Sequence, residues 1–218
     1  MADFTLVIGN KNYSSWSLRP WLVMKHLELP FAEELIPLYE EDSAERLSHY
    51  SPSGLVPVLR HGDVLLWESL AICDYLAELY PKAELWPWDA EARAVAKSVA
   101  FEMHGGFSAL RSKMPMNIRG TKHGRGRSPE VEKNIARITQ IWEDARTEFG
   151  RGGDFLFGKF GIADAMFAPV ATRFRTYGVE LSGASADYAQ ALLTHPAMLE
   201  WEEAARAEPW IIAVSEVE

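Results

Sequence analysis

Apolar and polar positions change their spacing near the start of the chain. Residues 4–8 form a short, β-branched apolar run that Gly9 ends, and they predict a strand. Residues 21–27 instead place their apolar side chains at helical spacing. The polar segment between them, residues 10–20, therefore joins a strand to a helix, and we call it the serine turn.

Pro20 constrains where this first helix begins, because proline lacks an N–H and its ring clashes with the carbonyl four residues before it. If Ser17 is the N-cap, Pro20 is the third helical residue. At that position the missing N–H would have no partner in the helix anyway, and the carbonyl that the ring would clash with lies outside the helix. We expect the helix to end at Leu29. Ser14 and Ser15 then lie just ahead of a helix N-terminus, where they either cap the turn or favour an anion.

The next residues predict two further short elements. Residues 31–38 suit an edge strand, because Pro37 cannot donate to a ladder. Asp42 and Glu45, three residues apart, form a capping-box pattern that opens a short helix through Ser48.

A hairpin and a helix are expected to follow. Pro57 stands between two valines, so it belongs at a strand start, where it can be cis. Residues 61–63 predict the hairpin turn between two short apolar runs. Ser69 is expected to cap a helix from Leu70 to Tyr80.

Beyond a proline-interrupted aromatic linker at residues 85–88, the apolar spacing is helical and predicts no strand. Residues 128–129 open one helix that Gly150 should end in the left-handed conformation. Another helix is expected from Ile162 to Tyr177, with a kink at Pro169. The first helix of this half should carry one apolar face made of Val95, Val99, Met103, Phe107 and Leu110.

The fold class is therefore α/β plus all-α. We expect a βαβαββα domain over residues 1–81, a linker over 82–90 and a helical bundle over 91–218.

The formal net charge of -9 opposes binding to nucleic acid, which needs a basic face. Residues 111–127 are a local exception, because they contain basic residues and no acidic one. This basic stretch is either a solvated loop or a mobile flap over an anionic ligand.

The single cysteine, Cys73, excludes an intrachain disulfide and fits a reducing compartment. Its place in an apolar helix suits a small buried side chain better than a nucleophile. We find neither a signal peptide nor a run long enough to span a membrane, and we expect a cytoplasmic protein without membrane partners. No metal site is expected.

Four motifs occur in a specific order along the chain. They are the serine turn, residues 55–58, the Glu68–Ser69 pair and residues 161–164 in the helical half. Together they resemble cytosolic glutathione transferases over essentially the whole chain, and most of all the serine-type bacterial and zeta-like members.

The resemblance implies a thioredoxin-like first domain and glutathione as co-substrate. In that family the cis proline, here Pro57, follows a residue, here Val56, whose backbone binds the cysteinyl part of glutathione. Glu68 and Ser69 would receive the γ-glutamyl ammonium and carboxylate. The resemblance also implies a homodimer and an electrophile-binding second domain.

Three positions depart from the family pattern. Leu55 stands where family members often have a lysine that reaches the glycyl carboxylate of glutathione. Arg46, His49 or the basic stretch is then left to bind this carboxylate instead. Gly161 replaces the usual Ser or Thr, so Asp164 must cap the helix without a partner hydroxyl. The turn has no cysteine, which argues against thioltransferase chemistry.

A serine hydroxyl beside a helix N-terminus can stabilise the glutathione thiolate. Ser14 lies five residues before Arg19, as in zeta and tau members, whereas Ser15 lies four before it, as in delta members. The spacing slightly favours Ser14 and leaves Ser15 open. The residues implied for the electrophile are His104, Phe107, Arg111 and Met116.

Three functions stay in competition. The first is conjugation of glutathione to small electrophiles in detoxification. The second is a glutathione-dependent cis-trans isomerase of the maleylacetoacetate type, and the third is a non-catalytic binding module on the same fold.

Overall fold

The structure is a computed structural model, and it describes residues 3–217. The first domain follows the expected βαβαββα order. Its elements are β1 (Phe4–Ile8), α1 (Ser15–His26), β2 (Phe31–Leu35), α2 (Ser43–Ser48), β3 (Val58–His61), β4 (Val64–Trp67) and α3 (Ser69–Leu79).

The four strands form one mixed sheet in the order β2-β1-β3-β4. β1 runs parallel to β2 and antiparallel to β3, which pairs antiparallel with β4. β2 is the edge strand that the sequence predicts, although Pro37 lies beyond its end. A two-residue turn joins β3 to β4, and Gly62 adopts a φ of 56° there, which glycine tolerates best.

The second domain is helical. A 3-10 turn, Pro81–Ala83, precedes it, and another, Ala213–Ser215, lies near its end. Its helices are α4 (Ala90–Gly105), α5 (Ser108–Lys113), α6 (Pro129–Phe149), α7 (Ile162–Tyr177), α8 (Gly183–Leu193) and α9 (Pro196–Ala207).

The α7 helix forms the centre of the second domain, and almost all of its residues are buried. Asp164 caps it as expected, because its carboxylate accepts the N–H groups of Gly161 at 2.8 Å and Leu156 at 3.1 Å. Helix α1 of the first domain packs between α3 and α7. The serine turn therefore lies at the junction of the two domains.

The expected start and end of α1 are wrong. The N-cap is Ser14, whose hydroxyl accepts the Ser17 N–H at 3.3 Å, so Pro20 lies inside the helix. Packing of α1 on both sides outweighs the local preference of the proline. The helix ends at His26, because Glu28 adopts a φ of 53° and Leu29 N–H bonds the Met24 carbonyl at 3.1 Å in a Schellman-type ending.

Two other helix starts also differ from expectation. Ser69 is the first residue of α3 rather than its cap, and Glu68 holds the N-cap position with a φ of 71°. The Asp42 side chain makes no capping bond at α2. The Ser43 hydroxyl instead ties the start of α2 to the preceding loop, since it accepts the Glu40 N–H and donates to the Pro37 carbonyl, both at 2.7 Å.

The single apolar face expected from Val95 to Leu110 is divided between α4 and α5. The chain turns at Gly106 and Phe107, where Phe107 has a φ of 59°. A Cβ at Gly106 would lie 2.7 Å from the Glu102 carbonyl oxygen, so a side chain does not fit there.

The end of α6 is also not the expected one. Gly150 has a φ of -75° and is not left-handed. Arg146 instead satisfies local carbonyls with its guanidinium, reaching Gly153 at 2.6 Å and Phe155 at 2.7 Å.

The basic stretch is held in place rather than being a free flap, although Lys113, Arg125 and Arg127 stay exposed to solvent. Arg119 donates to the carbonyls of Glu208 and Trp210, and Lys122 forms an ion pair with Glu216 at 3.2 Å. These contacts bind the stretch to residues 208–217, which we call the C-terminal segment. None of the helices formed by residues 3–217 combines the length and the apolar character needed to cross a membrane.

Candidate active site

Two adjoining clefts open between the domains. The larger has a volume of 660 Å³ and is lined by residues 13–16, residues 54–56, Arg111, Met116, Arg173 and Ile212, among others. The smaller, of 410 Å³, is lined by Pro57, Glu68, Ser69 and His104, among others. Trp16, Leu55, Val56 and Arg111 contribute to both.

The Ser14 hydroxyl is used inside the turn. It donates to the Ser17 hydroxyl at 2.8 Å and accepts the Ser17 N–H at 3.3 Å. The Ser17 hydroxyl also accepts the Gly9 N–H at 3.1 Å. Ser14 thus holds the turn to the helix start.

The Ser15 hydroxyl has a different partner. It accepts a hydrogen bond of 3.1 Å from Nη2 of Arg173, which comes from α7 in the other domain. Ser15 is the first residue of α1 and lines the larger cleft. Within residues 3–217, its hydroxyl hydrogen is committed to no acceptor.

Three guanidinium groups contact the side chains of Ser15 and Trp16. The Cζ atoms of Arg19 and Arg111 lie 4.2 Å and 4.7 Å from the centre of the Trp16 ring. Within the part of the chain that the structure describes, neither they nor Arg173 form an ion pair with a carboxylate. Burial, together with the positive charge of Arg111, lowers the pKa of Arg173 to about 10. The site therefore carries uncompensated positive charge.

The smaller cleft contains an unpaired polar group. The Ser69 hydroxyl is buried and has no hydrogen-bond partner among residues 3–217. Buried polar atoms normally find a partner, so this hydroxyl at the start of α3 suits a ligand oxygen.

Glu68 and His104 meet beside Ser69, with Oε2 and Nε2 separated by 3.4 Å. Burial and then the charge of Arg19 lower the pKa of His104, so its ring is neutral at neutral pH and the contact is not an ion pair. The Glu68 carboxylate therefore stays available for a cation.

Val56 and Pro57 are joined by the cis peptide bond that the sequence predicts. The exposed side chain of Leu55 lies at the rim of both clefts, and its backbone N–H and carbonyl both bond the Ser51 hydroxyl. Arg46 and His49, the expected substitutes for a glycyl anchor, bond to the Leu35 and Glu45 carbonyls and line neither cleft.

The implied electrophile residues divide into two groups. Arg111 and Met116 line the larger cleft, and His104 lines the smaller one, with its ring edge-on to Trp16 at 5.2 Å. Phe107 lies in the hydrophobic core and lines neither cleft, so we leave it out of the site.

The C-terminal segment completes the larger cleft. Ile212 and Ser215 line it, and Glu216 accepts hydrogen bonds of 2.7 Å from the Tyr13 hydroxyl and from Asn117 Nδ2. Sequence reasoning missed this wall, because no local pattern links residues so far apart in the chain. It also missed Trp16 and Arg173, although an arginine within the apolar pattern of α7 was a signal for the latter.

Residues 3–217 contain no group of three or more His, Cys, Asp or Glu side chains arranged to hold a metal ion.

Comparison with known proteins agrees with this architecture. Residues 13–79 match the family described as glutathione S-transferase, N-terminal domain, and residues 128–207 match glutathione S-transferase, C-terminal domain. The chain belongs to the glutathione S-transferase family.

Individual relatives are distant. The chain is 28% identical to glutathione S-transferase GstB of Escherichia coli K12, over 75% of this chain and 80% of that one. It is 23% identical to a probable maleylacetoacetate isomerase of Caenorhabditis elegans, over 77% of each chain. A glutathione transferase homologue from Burkholderia, solved with bound glutathione, shares the fold with a TM-score of 0.72 and 22% identity, over 94% of this chain and 99% of that one.

Proposed function

We propose that the protein is a glutathione transferase that activates glutathione as a thiolate for attack on small electrophiles. The observation that carries this proposal is the Ser15 hydroxyl, which lines the larger cleft at the start of α1 and accepts its bond from a buried guanidinium. That arrangement directs both a hydroxyl hydrogen and positive charge towards an anion in the cleft.

Glutathione fits across the two clefts. The Glu68 carboxylate neutralises the γ-glutamyl ammonium, and the unpaired Ser69 hydroxyl binds the γ-glutamyl carboxylate. The Val56 backbone, just before β3, bonds the cysteinyl part as a short β-type addition of the ligand to the protein. The sulfur then lies at Ser15 in the larger cleft, next to Trp16, which lines both clefts.

Ser15 rather than Ser14 is the proposed sulfur donor. The Ser14 hydrogen is already donated to Ser17, whereas the Ser15 oxygen accepts from Arg173 and leaves its hydrogen for the sulfur. This reverses the slight preference for Ser14 that the sequence spacing gave.

The chemistry needs only a modest shift in pKa. A free thiol with a pKa of about 8.5 is mostly protonated at neutral pH, and lowering that value by about two units corresponds to roughly 2.7 kcal/mol. One hydrogen bond to the anion and a helix N-terminus are of that order. The thiol gives its proton to solvent, and the thiolate then forms the S–C bond while the leaving group departs with its electron pair.

A glutathione-dependent isomerase is the second candidate function. The observation that favours it is the pair of guanidiniums, Arg111 and Arg173, on the wall of the larger cleft, since both suit a carboxylate-bearing substrate. In that reaction the same thiolate adds to a double bond and leaves again, so glutathione is not consumed. Measuring whether glutathione disappears in step with the substrate distinguishes the two.

A homodimer in the cytoplasm completes the proposal, with electrophile detoxification as its role. Trp67 on the outer strand β4 and Phe101 on α4 are 46% and 60% exposed, and a second copy would cover them.

The decisive experiment is calorimetric titration of glutathione into wild type, Glu68→Ala and Ser69→Ala, with Ser98→Ala on the exposed side of α4 as the control. Both site variants should weaken glutathione binding at least tenfold, while the control should bind as wild type does. Unchanged affinity in both site variants would refute the proposed binding mode.

A further inference from the structure

Arg173 is an unusual residue for the middle of a domain core. Its side chain is 3% exposed, and its guanidinium has no carboxylate partner among residues 3–217. Burying an unpaired cation is costly, so a stable fold that keeps one there points to an anion that binds nearby.

The position of the guanidinium is fixed by backbone atoms. Nε donates to the Met114 carbonyl at 2.9 Å, and Nη1 donates to the Pro169 carbonyl at 3.3 Å. Only Nη2 is directed at a side chain, the Ser15 hydroxyl, at 3.1 Å. Because the guanidinium is planar and rigid, its two contacts with backbone carbonyls fix the direction in which Nη2 donates to the Ser15 hydroxyl.

This contact determines what the Ser15 hydroxyl can do. A hydroxyl has one hydrogen to donate, and arginine has no acceptor atom, so the hydrogen of Ser15 must be directed away from Arg173. The Ser15 hydrogen can then point into the larger cleft, which Ser15 and Arg173 both line.

We propose, on the basis of the function proposed above, that Arg173 is a positioning residue for thiolate activation. It orients the Ser15 hydroxyl and polarises it from the oxygen side, so that the hydrogen bond to the glutathione sulfur is stronger than that of an isolated serine. The second domain thereby contributes to activation of a thiol bound by the first.

The charges around Arg173 agree with this role. Burial and the nearby Arg111 both disfavour its charged form, and they lower its pKa to about 10. A thiolate beyond Ser15 would relieve the repulsion among the guanidiniums, since it supplies the missing negative charge.

The test is a double-mutant cycle read by the pKa of enzyme-bound glutathione, measured by the ultraviolet absorbance of the thiolate. Arg173→Gln and Ser15→Ala should each raise this pKa by about one unit or more. Because Arg173 acts mainly through Ser15, and only secondarily through its own charge on the thiolate, the double variant should shift the pKa by clearly less than the sum of the two single shifts. Additive shifts would overturn the proposal, because they would show that Arg173 acts independently of Ser15.

Arg146→Gln is the matched control. Arg146 also holds backbone carbonyls with its guanidinium, but it lines neither cleft. This control should lower the melting temperature and leave the bound-thiol pKa unchanged. A pKa shift of the same size in Arg146→Gln would assign the effect to general loosening of the fold and would contradict the proposal.

Arg173→Lys covers the case in which the glutamine variant does not fold. A lysine keeps the charge but cannot hold the two carbonyls and Ser15 at once, so the bound-thiol pKa should lie between those of wild type and Ser15→Ala. A wild-type pKa in a folded Arg173→Lys would overturn the orienting role.

The outcomes separate this inference from the function on which it rests. No binding of glutathione to wild type, or an unchanged pKa in Ser15→Ala, refutes the proposed function and with it this inference. A raised pKa in Ser15→Ala with no change in folded Arg173→Gln refutes the inference alone.

Discussion

The carboxylate of Glu208 accepts the backbone N–H groups of Lys11 and Asn12 at 2.6 Å and 3.0 Å. Two buried N–H groups of the serine turn thus depend on a residue just beyond α9. The end of the second domain therefore holds the turn that carries Ser14 and Ser15.

We expect Glu208→Ala to destabilise the protein by about 2 to 4 kcal/mol, because it leaves two buried donors without an acceptor. Denaturant unfolding followed by circular dichroism measures this. Glu203→Ala, an exposed position on α9, is the matched control and should change the free energy of unfolding by less than about 0.5 kcal/mol. Equal effects of the two variants would show that the Glu208 contacts add no stability.

The two serines should respond differently to removal of the hydroxyl. Ser15→Ala should move the pH profile of kcat/KM up by about one to two units, because the thiolate loses its donor. Ser14→Ala should leave the profile in place and lower stability by about 1 kcal/mol, because α1 loses its cap. Profiles and unfolding curves for both variants check this, and an exchange of the two results would restore Ser14 as the sulfur donor.

The contact between Glu216 and the serine turn should depend on pH. Burial pushes the pKa of Glu216 up, but the hydrogen bonds from Tyr13, Lys122 and Asn117 outweigh it, and the net pKa is lowered. A carboxyl whose folded pKa lies below its unfolded value stabilises the fold at higher pH, and this stabilisation is lost as pH falls through the folded pKa.

The measurement compares the free energy of unfolding of wild type and Glu216→Gln across pH. Wild type should be the more stable at neutral pH, and the difference should shrink once the pH falls below about 4.3, the pKa of an unperturbed Glu. A difference that stays constant down to pH 2 would mean that ionisation of Glu216 does not strengthen the contact.

The apolar surface of β4 and α4 should bind a second copy of the chain. Sedimentation of wild type should show a dimer at micromolar concentration, and Phe101→Glu should shift it to the monomer by placing charge on the covered face. Trp88→Glu is the control, since Trp88 is 80% exposed in the linker and should leave the mass unchanged. A 24.5 kDa species for wild type would contradict the proposed dimer.

Local sequence by itself determined several elements of this protein. The β-branched run of β1, the Ser128–Pro129 start of α6 and the bounds of α7 follow from periodicity and capping, which depend on neighbouring residues only. The order of the motifs also indicated the family and the cis bond at Pro57.

Tertiary structure decided the details of the site, because they depend on residues far apart in the chain. Arg173 lies 158 positions from Ser15, and Glu208 lies 197 from Lys11. Even the start of α1 followed the packing of the helix between two others rather than the local preference of Pro20. Local pattern indicates which residues can cap, bury or ionise, but only the packed fold determines which of two adjacent serines has a hydrogen to donate to a ligand.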